Sequence, residues 1–264
     1  MIQLLKKIFI CLSVFLLFFS ITPVAIAEEE AAEEDRPTAK LSLGFYSDYI
    51  WRGYALGHDS LVIFPTTTIS YKGFSMNMWG DMDTNYEGTG EKEWWETDWV
   101  WTYSNNFDIL NYTLGYIYYD TDAGNTQELY LTLGLSTLLN PTISVYRDIE
   151  LGEAYYWNFA VSQNIPFPVK TSLTEDWSFD VGGWVSYMHR PGNYGLTNYE
   201  AMHDGNVWAA LNIPINKYMT LVPSMNYSFP LSDHAKDEIR GGSVTGQTGD
   251  AEFIYGGAAI NIAF

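Results

Sequence analysis

Apolar and polar residues alternate along most of this chain with a period of two, the signature of strands that keep one face in an apolar phase. In "LSLGFYSDYIW" one face carries Leu41, Leu43, Phe45, Tyr49 and Trp51, and the other Ser42, Gly44, Tyr46 and Asp48. "GFSMNMWGDMD" sets Phe74, Met76, Met78 and Met82 against Ser75, Asn77, Trp79, Asp81 and Asp83. "WETDWVWTY" sets Trp95, Trp99, Trp101 and Tyr103 against Glu96, Asp98 and Thr102. In "QELYLTLGLS", Leu129, Leu131, Leu133 and Leu135 oppose Glu128, Tyr130, Thr132 and Ser136. The pattern predicts twelve strands, near 40–53, 62–72, 73–84, 94–104, 109–120, 126–138, 142–149, 154–163, 176–189, 201–213, 218–229 and 252–264. Ten and fourteen are the neighbouring even counts.

The connections between these strands alternate in character. Tight ones (Lys72-Gly73, "SNNFD", "LNP", "PINK") take turns with longer ones rich in Gly, Asn and Asp, such as "TNYEGTGEKEW" and "PLSDHAKDEIRGGSVTGQTGD". The eighth, "NIPFPVKTSLTED", is a long exception. Short turns on one rim and long polar loops on the other are the plan of a transmembrane barrel. A soluble sandwich has no reason for that alternation. It would also bury its apolar face and tolerate few of the carboxylates on the polar one. The expected fold is therefore all-β: an antiparallel up-and-down barrel over residues 40–264, with its apolar face toward lipid.

The N-terminus fits export. Lys6 and Lys7 precede an unbroken apolar run from Ile8 to Phe19, and Ala25-Ile26-Ala27 supplies the small-x-small pattern of a signal-peptidase site. The run is short for a bilayer-spanning helix, which takes roughly 20 residues. Residues 1–27 are thus expected to be a cleaved signal peptide, and 28–39 a charged, disordered periplasmic leader. Cys11, the only cysteine, follows Ile10 and so makes a poor lipoprotein site; cleavage leaves no thiol chemistry. A formal charge of −19 argues against nucleic acid as a partner. The expected location is a bacterial outer membrane, with its lipid, its assembly machinery and small hydrophilic solutes as partners. The pattern says nothing of oligomeric state.

Parity assigns candidate lumen residues: Asp48, Arg52, Asp81, Asp83, Glu96, Asp98, Glu128, Asp148 and Asp180. Asp48 and Arg52 fall four apart on one face of the first strand. Most of these acids lie toward the long-loop end, as an acidic ring that would favour cations, with Arg52 its main basic partner. The opposing reading is a salt-bridge and hydrogen-bond network that plugs a narrow barrel. Tyr49, Trp51, Trp95, Trp99, Trp101 and Tyr103 are the candidate aromatics of the membrane interface. Phe264 ends the last predicted strand, where a terminal aromatic resembles the signal read by outer-membrane assembly machinery.

"YSDYIWRG", 46–53, and the following "FPTTTISYKGFSMNMWGD" resemble the TorF-type porin family of bacterial outer-membrane β-barrel proteins. The matching points are the S-D-Y-x-x-R-G run, Pro65, the Gly73-Phe74 turn and Trp79-Gly80, and the resemblance is clearest over 43–81. It implies an outer-membrane barrel, a small pore, and no particular substrate.

Other chemistry is thin. Asp81, Asp83 and the pair His203-Asp204 resemble the acid–acid plus His–Asp layout of omptin-type outer-membrane proteases, in which His beside a carboxylate activates water. His203, however, falls on the lipid parity of its strand. "GHDS" at 57–60 has a His, an Asp and a Ser side by side, and adjacency in sequence does not make a triad. The histidines show no metal-ligand spacing, "SDHAKDE" lacks the EF-hand pattern, and no cofactor is expected. The large loops at 190–204 and 230–251 could contact outside partners, a structural or adhesive role. The expected function is passive passage of small hydrophilic solutes with a cation preference, and no enzymatic activity.

Overall fold

The computed structural model describes residues 36–85, 93–150, 153–169, 177–192, 198–242 and 249–264. The predicted signal peptide and most of the leader lie outside them. The last two leader positions, Thr38 and Ala39, already belong to the first strand.

Twelve antiparallel strands close into a barrel. They are β1 (Thr38–Tyr46), β4 (Val62–Tyr71), β5 (Phe74–Asp83), β6 (Glu93–Phe107), β7 (Leu110–Thr121) and β8 (Gly124–Leu135). The round continues with β9 (Thr142–Asp148), β10 (Tyr155–Phe167), β11 (Trp177–Arg190), β12 (Tyr199–Asn216), β13 (Met219–Pro230) and β14 (Phe253–Ala263). Each wall strand pairs with its neighbour in sequence, and β1 pairs with both β4 and β14. Closure leaves no unpaired edge in a phase that cannot solvate one. Two glycines let β14 lie close to both its neighbours, Gly257 against β1 at the seam and Gly256 against β13. A Cβ on Gly257 would run into the Phe45 carbonyl oxygen, and one on Gly256 would sit 2.5 Å from that of Ser224. Phe264 continues the pairing: it exchanges main-chain hydrogen bonds with Ala39, and its ring stacks on Tyr218.

The outer surface is apolar. Leu41, Leu43, Ile69, Phe74, Trp101, Leu114, Leu129, Val207, Met225 and Ile254 are all exposed, as lipid-facing side chains of a membrane barrel are.

Two elements are not part of the wall. The first predicted strand does not run to residue 53. It ends at Tyr46, and β2 (Tyr49–Trp51) and β3 (Tyr54–Gly57) form a separate small hairpin. Within the last long loop, read above as a loop throughout, lies helix α1 (Asp233–Gly242). Ser232 caps it: its hydroxyl accepts from the Ala235 amide at 3.0 Å. Ala235 and Ile239, one turn apart, are its fully buried face. Part of the other large predicted loop, 190–204, is the start of β12.

Two bulges shift parity. Trp95 is the extra residue between the pairs Asp81–Glu96 and Met82–Trp94. It turns inward and is buried, so of the predicted interface aromatics it belongs to the interior. On β12, His203 and Asp204 both oppose Ser186. The two-against-one count brings His203 to the inside, against its predicted lipid parity, and it is fully buried.

Candidate functional site

The β2–β3 hairpin folds into the barrel from the long-loop rim. Its tip, Arg52-Gly53, is a two-residue turn with both φ values positive, 48° and 82°, the type I′ geometry that hairpins favour. Arg52 thus stands at a turn tip, on no common strand face with Asp48. Its guanidinium makes a bidentate pair with Glu128 on β8, at 2.7 and 2.8 Å. Glu128 also accepts from the Tyr119 hydroxyl at 2.9 Å. The rings of Tyr156, Trp51 and Tyr146 surround the guanidinium carbon at 4.4, 4.5 and 5.0 Å. Burial by itself works against this charge, but Glu128 more than offsets it and holds Arg52 more firmly protonated than usual. A planar fork with aromatic faces is a task for Arg and not for Lys.

The rest of the hairpin is fastened to other walls. The Tyr49 hydroxyl donates to Glu96 on β6 at 2.9 Å. Burial first, and then the neighbouring Glu96, Asp98 and Asp81 charges, raise its pKa and keep it a donor. The Arg52 carbonyl lies 3.0 Å from His203 Nε2. A carbonyl only accepts, so Nε2 carries the proton, and Nδ1 accepts from the Tyr199 hydroxyl at 2.7 Å. The Tyr54 hydroxyl donates to Glu238 on α1 at 3.2 Å, and Glu238 also pairs with Arg190 at 2.8 Å. Helix α1 rests on the tip: a Cβ on Gly53 would meet Ile239 Cδ1 at 2.9 Å and Asp204 Cβ at 3.0 Å. Asp204 itself accepts from Tyr156, Ser186 and Trp184.

The S-D-Y-x-x-R-G run, placed by its alternation in the first strand, is therefore the plug. Ser47 donates to Asp48, Asp48 pairs with His58, and Tyr49, Arg52 and Gly53 make the contacts above. Tyr49 and Trp51 consequently lie inside the barrel and not at the membrane interface. Tyr49 is 8% exposed, and Trp51 packs edge-on to Tyr119. Trp101 is exposed on the outside, and Trp99 and Tyr103 share its parity, half-buried.

The acids form an arc and not a ring. Asp81 on β5 opposes Glu96 on β6, with Asp83 and Asp98 two residues further along their strands, and Glu128 on β8 pairs in register with Asp148 on β9. Asp83 accepts from the Asn85 amide, and Asp148 from Thr126 and the Glu150 amide. One oxygen each of Asp81 and Asp98 is buried without a hydrogen-bond partner. Asp180 stands apart on β11, bonded to Asn164 and Asn212. Among the described residues no group of three or more His, Cys, Asp or Glu side chains is placed to hold a metal ion.

The protease-like residues are not brought together. Asp81 and Asp83 are on β5 and His203 on β12, five strands away around the shorter arc. The hairpin links both walls, through Tyr49 to Glu96 and through Arg52 to His203, and both His203 nitrogens are engaged.

Toward the short-turn rim the lumen changes character. It is lined by cross-strand pairs of small polar side chains: Ser42–Asn261, Asn77–Thr68, Ser70–Ser75, Ser104–Thr113 and Thr132–Ser144. A cavity of about 410 Å³ opens there beside Lys40, Ser42, Thr66, Asn212 and Asn261.

A solved structure of the NanC porin is similar to this chain, with a TM-score of 0.50 and 11% identity over 86% of this chain and 98% of that one. The likeness is one of fold. OmpF of Salmonella typhi aligns over 87% of this chain and 97% of its own, at 7% identity and a TM-score of 0.39. No protein-family model and no curated protein matches the sequence.

Proposed function

We propose that this chain is a bacterial outer-membrane porin for small hydrophilic solutes, narrowed from the long-loop side by its own first loop. The observation that carries the reading is the two-part lumen: a polar, partly open half at the short turns, and a half filled by the β2–β3 hairpin. Hydroxyl and amide linings suit water-soluble solutes. The resemblance of residues 43–81 to TorF-type porins supports the same reading.

The charge balance around the hairpin supports a cation preference as part of the same proposal. Around the hairpin Glu128 pairs with Arg52 and Asp48 with His58, Asp83 stands beside them without a basic partner among the described residues, and Asp148 adds a carboxylate that accepts from Thr126, so acid is in excess there. Carboxylates lining a passage repel anions. A second reading, a closed structural barrel, is favoured by how completely the hairpin's polar groups are satisfied. Reconstitution in planar bilayers separates the two. A wild-type conductance with reversal potentials favouring K⁺ over Cl⁻ supports the porin. Silence from wild type together with Arg52→Ala would leave the closed barrel.

A further inference from the structure

Beneath the hairpin, on the seam side of the lumen, a second cavity of about 420 Å³ lies between β1, β4 and β12–β14. Its size is within the roughly 300–1,000 Å³ of small-molecule sites. It continues upward from the cavity at the short-turn mouth: Ser42 gives way to Tyr46, Thr66 to Phe64, Asn212 to Trp208, and Thr220 to Ser224. Its surface combines aromatic faces with polar groups that no other described residue engages.

The aromatic part is held in place. Tyr46 stacks on Phe64 with centroids 5.5 Å apart, and Phe64 in turn packs on Trp79 at 4.9 Å. The Trp208 indole rests against Gly182, where a Cβ would intrude to 2.9 Å. The polar part is what sets this cavity apart. Lower in the lumen, hydroxyls and amides are matched across strands. Here the Tyr46 hydroxyl, the Trp208 N–H, the Ser224 hydroxyl and the Asn226 amide have no hydrogen-bond partner among the described residues. The Tyr255 hydroxyl accepts from Asn206, which leaves its own proton to give. Asp48 also borders the cavity, but His58 and Ser47 occupy both its oxygens. Among the described residues no uncommitted charge of either sign faces the space.

Flat apolar faces, several free neutral donors and acceptors, and no free charge are complementary to a ring with apolar C–H faces and a hydroxylated edge. We propose that this cavity is a binding subsite for a neutral ring sugar on the solute path. The inference rests on the reading of the lumen as that path. It adds selection by ring shape to the size and charge effects of the hairpin.

Saturation-transfer NMR on the full chain folded in detergent micelles tests it without any need for conduction. The probes are methyl β-D-glucopyranoside and the acyclic polyol sorbitol. Saturable transfer to the glucoside, with sorbitol at least about tenfold weaker, is expected. Trp208→Ala lowers glucoside affinity about tenfold, the loss of one aromatic platform. Ser224→Ala and Asn226→Ala, which remove less bulk, lower it about threefold each and guard against a Trp208 variant that fails to fold. Thr132→Ala on the far wall leaves it unchanged. No saturable glucoside signal, equal binding of sorbitol, or variants equal to wild type would overturn the subsite. A silent pore that still binds the glucoside would instead count against the porin reading alone.

Discussion

Trp51-Arg52-Gly53-Tyr54 and Tyr71-Lys72-Gly73-Phe74 are each an aromatic, a base, a glycine and an aromatic, and both form type I′ turns. Their φ values match: 48° and 82° in the first, 48° and 83° in the second. The second joins β4 to β5 at the barrel rim. There Lys72 is exposed and lies 5.1 Å above the Tyr71 ring. The first stands inside the barrel, with Arg52 clasped by Glu128 and three aromatic rings. The same local code thus makes a reverse turn in both places. What the turn then does is set by the surroundings: at the rim a base meets water, and inside the barrel it becomes a bolt.

Four pairs of substitutions bear on this contrast. The largest difference is expected between Arg52→Ala and Lys72→Ala. The first strands Glu128 in a buried site, at a cost of about 3–5 kcal/mol to hairpin seating. It should appear as faster amide exchange over 49–57 and higher single-channel conductance. The second should stay within about 0.5 kcal/mol in urea unfolding. Equal effects would mean the hairpin is not latched by Arg52. Next come Gly53→Ala and Gly73→Ala, each costing about 1–2 kcal/mol for a left-handed residue with a side chain. At Gly73 a Cβ would also press on the Ser104 carbonyl at 2.6 Å, so that variant should lower barrel stability further. At Gly53 a Cβ would meet the Ile239 side chain and the Asp204 Cβ, contacts of the hairpin and not of the wall pairing, so that variant should mainly loosen the plug. Arg52→Lys keeps the charge and loses the fork, for about 1–2 kcal/mol, while Lys72→Arg should be silent. The smallest expected change is Tyr49→Phe, about 1 kcal/mol from the buried hydroxyl given to Glu96, against a smaller one for Tyr71→Phe at the exposed rim, where water replaces what the hydroxyl gives up.

Most of the barrel was legible in the chain. Alternation located all twelve wall strands, and loop length sorted the two rims. The errors fall where a local signal serves two outcomes. Tyr49 and Trp51 alternate as strand residues should, and a hairpin hidden in that alternation differs only by its turn. The twin turn at 71–74 carries the clue, since Arg52-Gly53 repeats its tight Lys72-Gly73 pair between two aromatics. The bulges at Trp95 and at His203-Asp204 left no mark in composition, so parity failed beyond them. Helix α1 carries ordinary signs, a Ser232 cap and apolar Ala235 and Ile239 one turn apart, masked by the polar composition of the loop around it. The acids of the site were visible as residue types on strands. That Arg52 would choose Glu128, seventy-six positions away, depends on how β2–β3 enters the barrel, and no spacing records it.

The attachments of the hairpin also impose an order in time. It follows the first strand in the chain, so it emerges early from any process that delivers the polypeptide N-terminus first. Its fastenings come later: Glu96 on β6, Glu128 on β8, His203 on β12 and Glu238 on α1. Until those strands are aligned it has little to hold, and long-separation contacts of this kind form slowly. The bolt is made first and thrown last. A newly closed barrel should therefore pass through a stage with an emptier lumen than the finished one, and seating of the hairpin should be a separate, slower kinetic phase after closure.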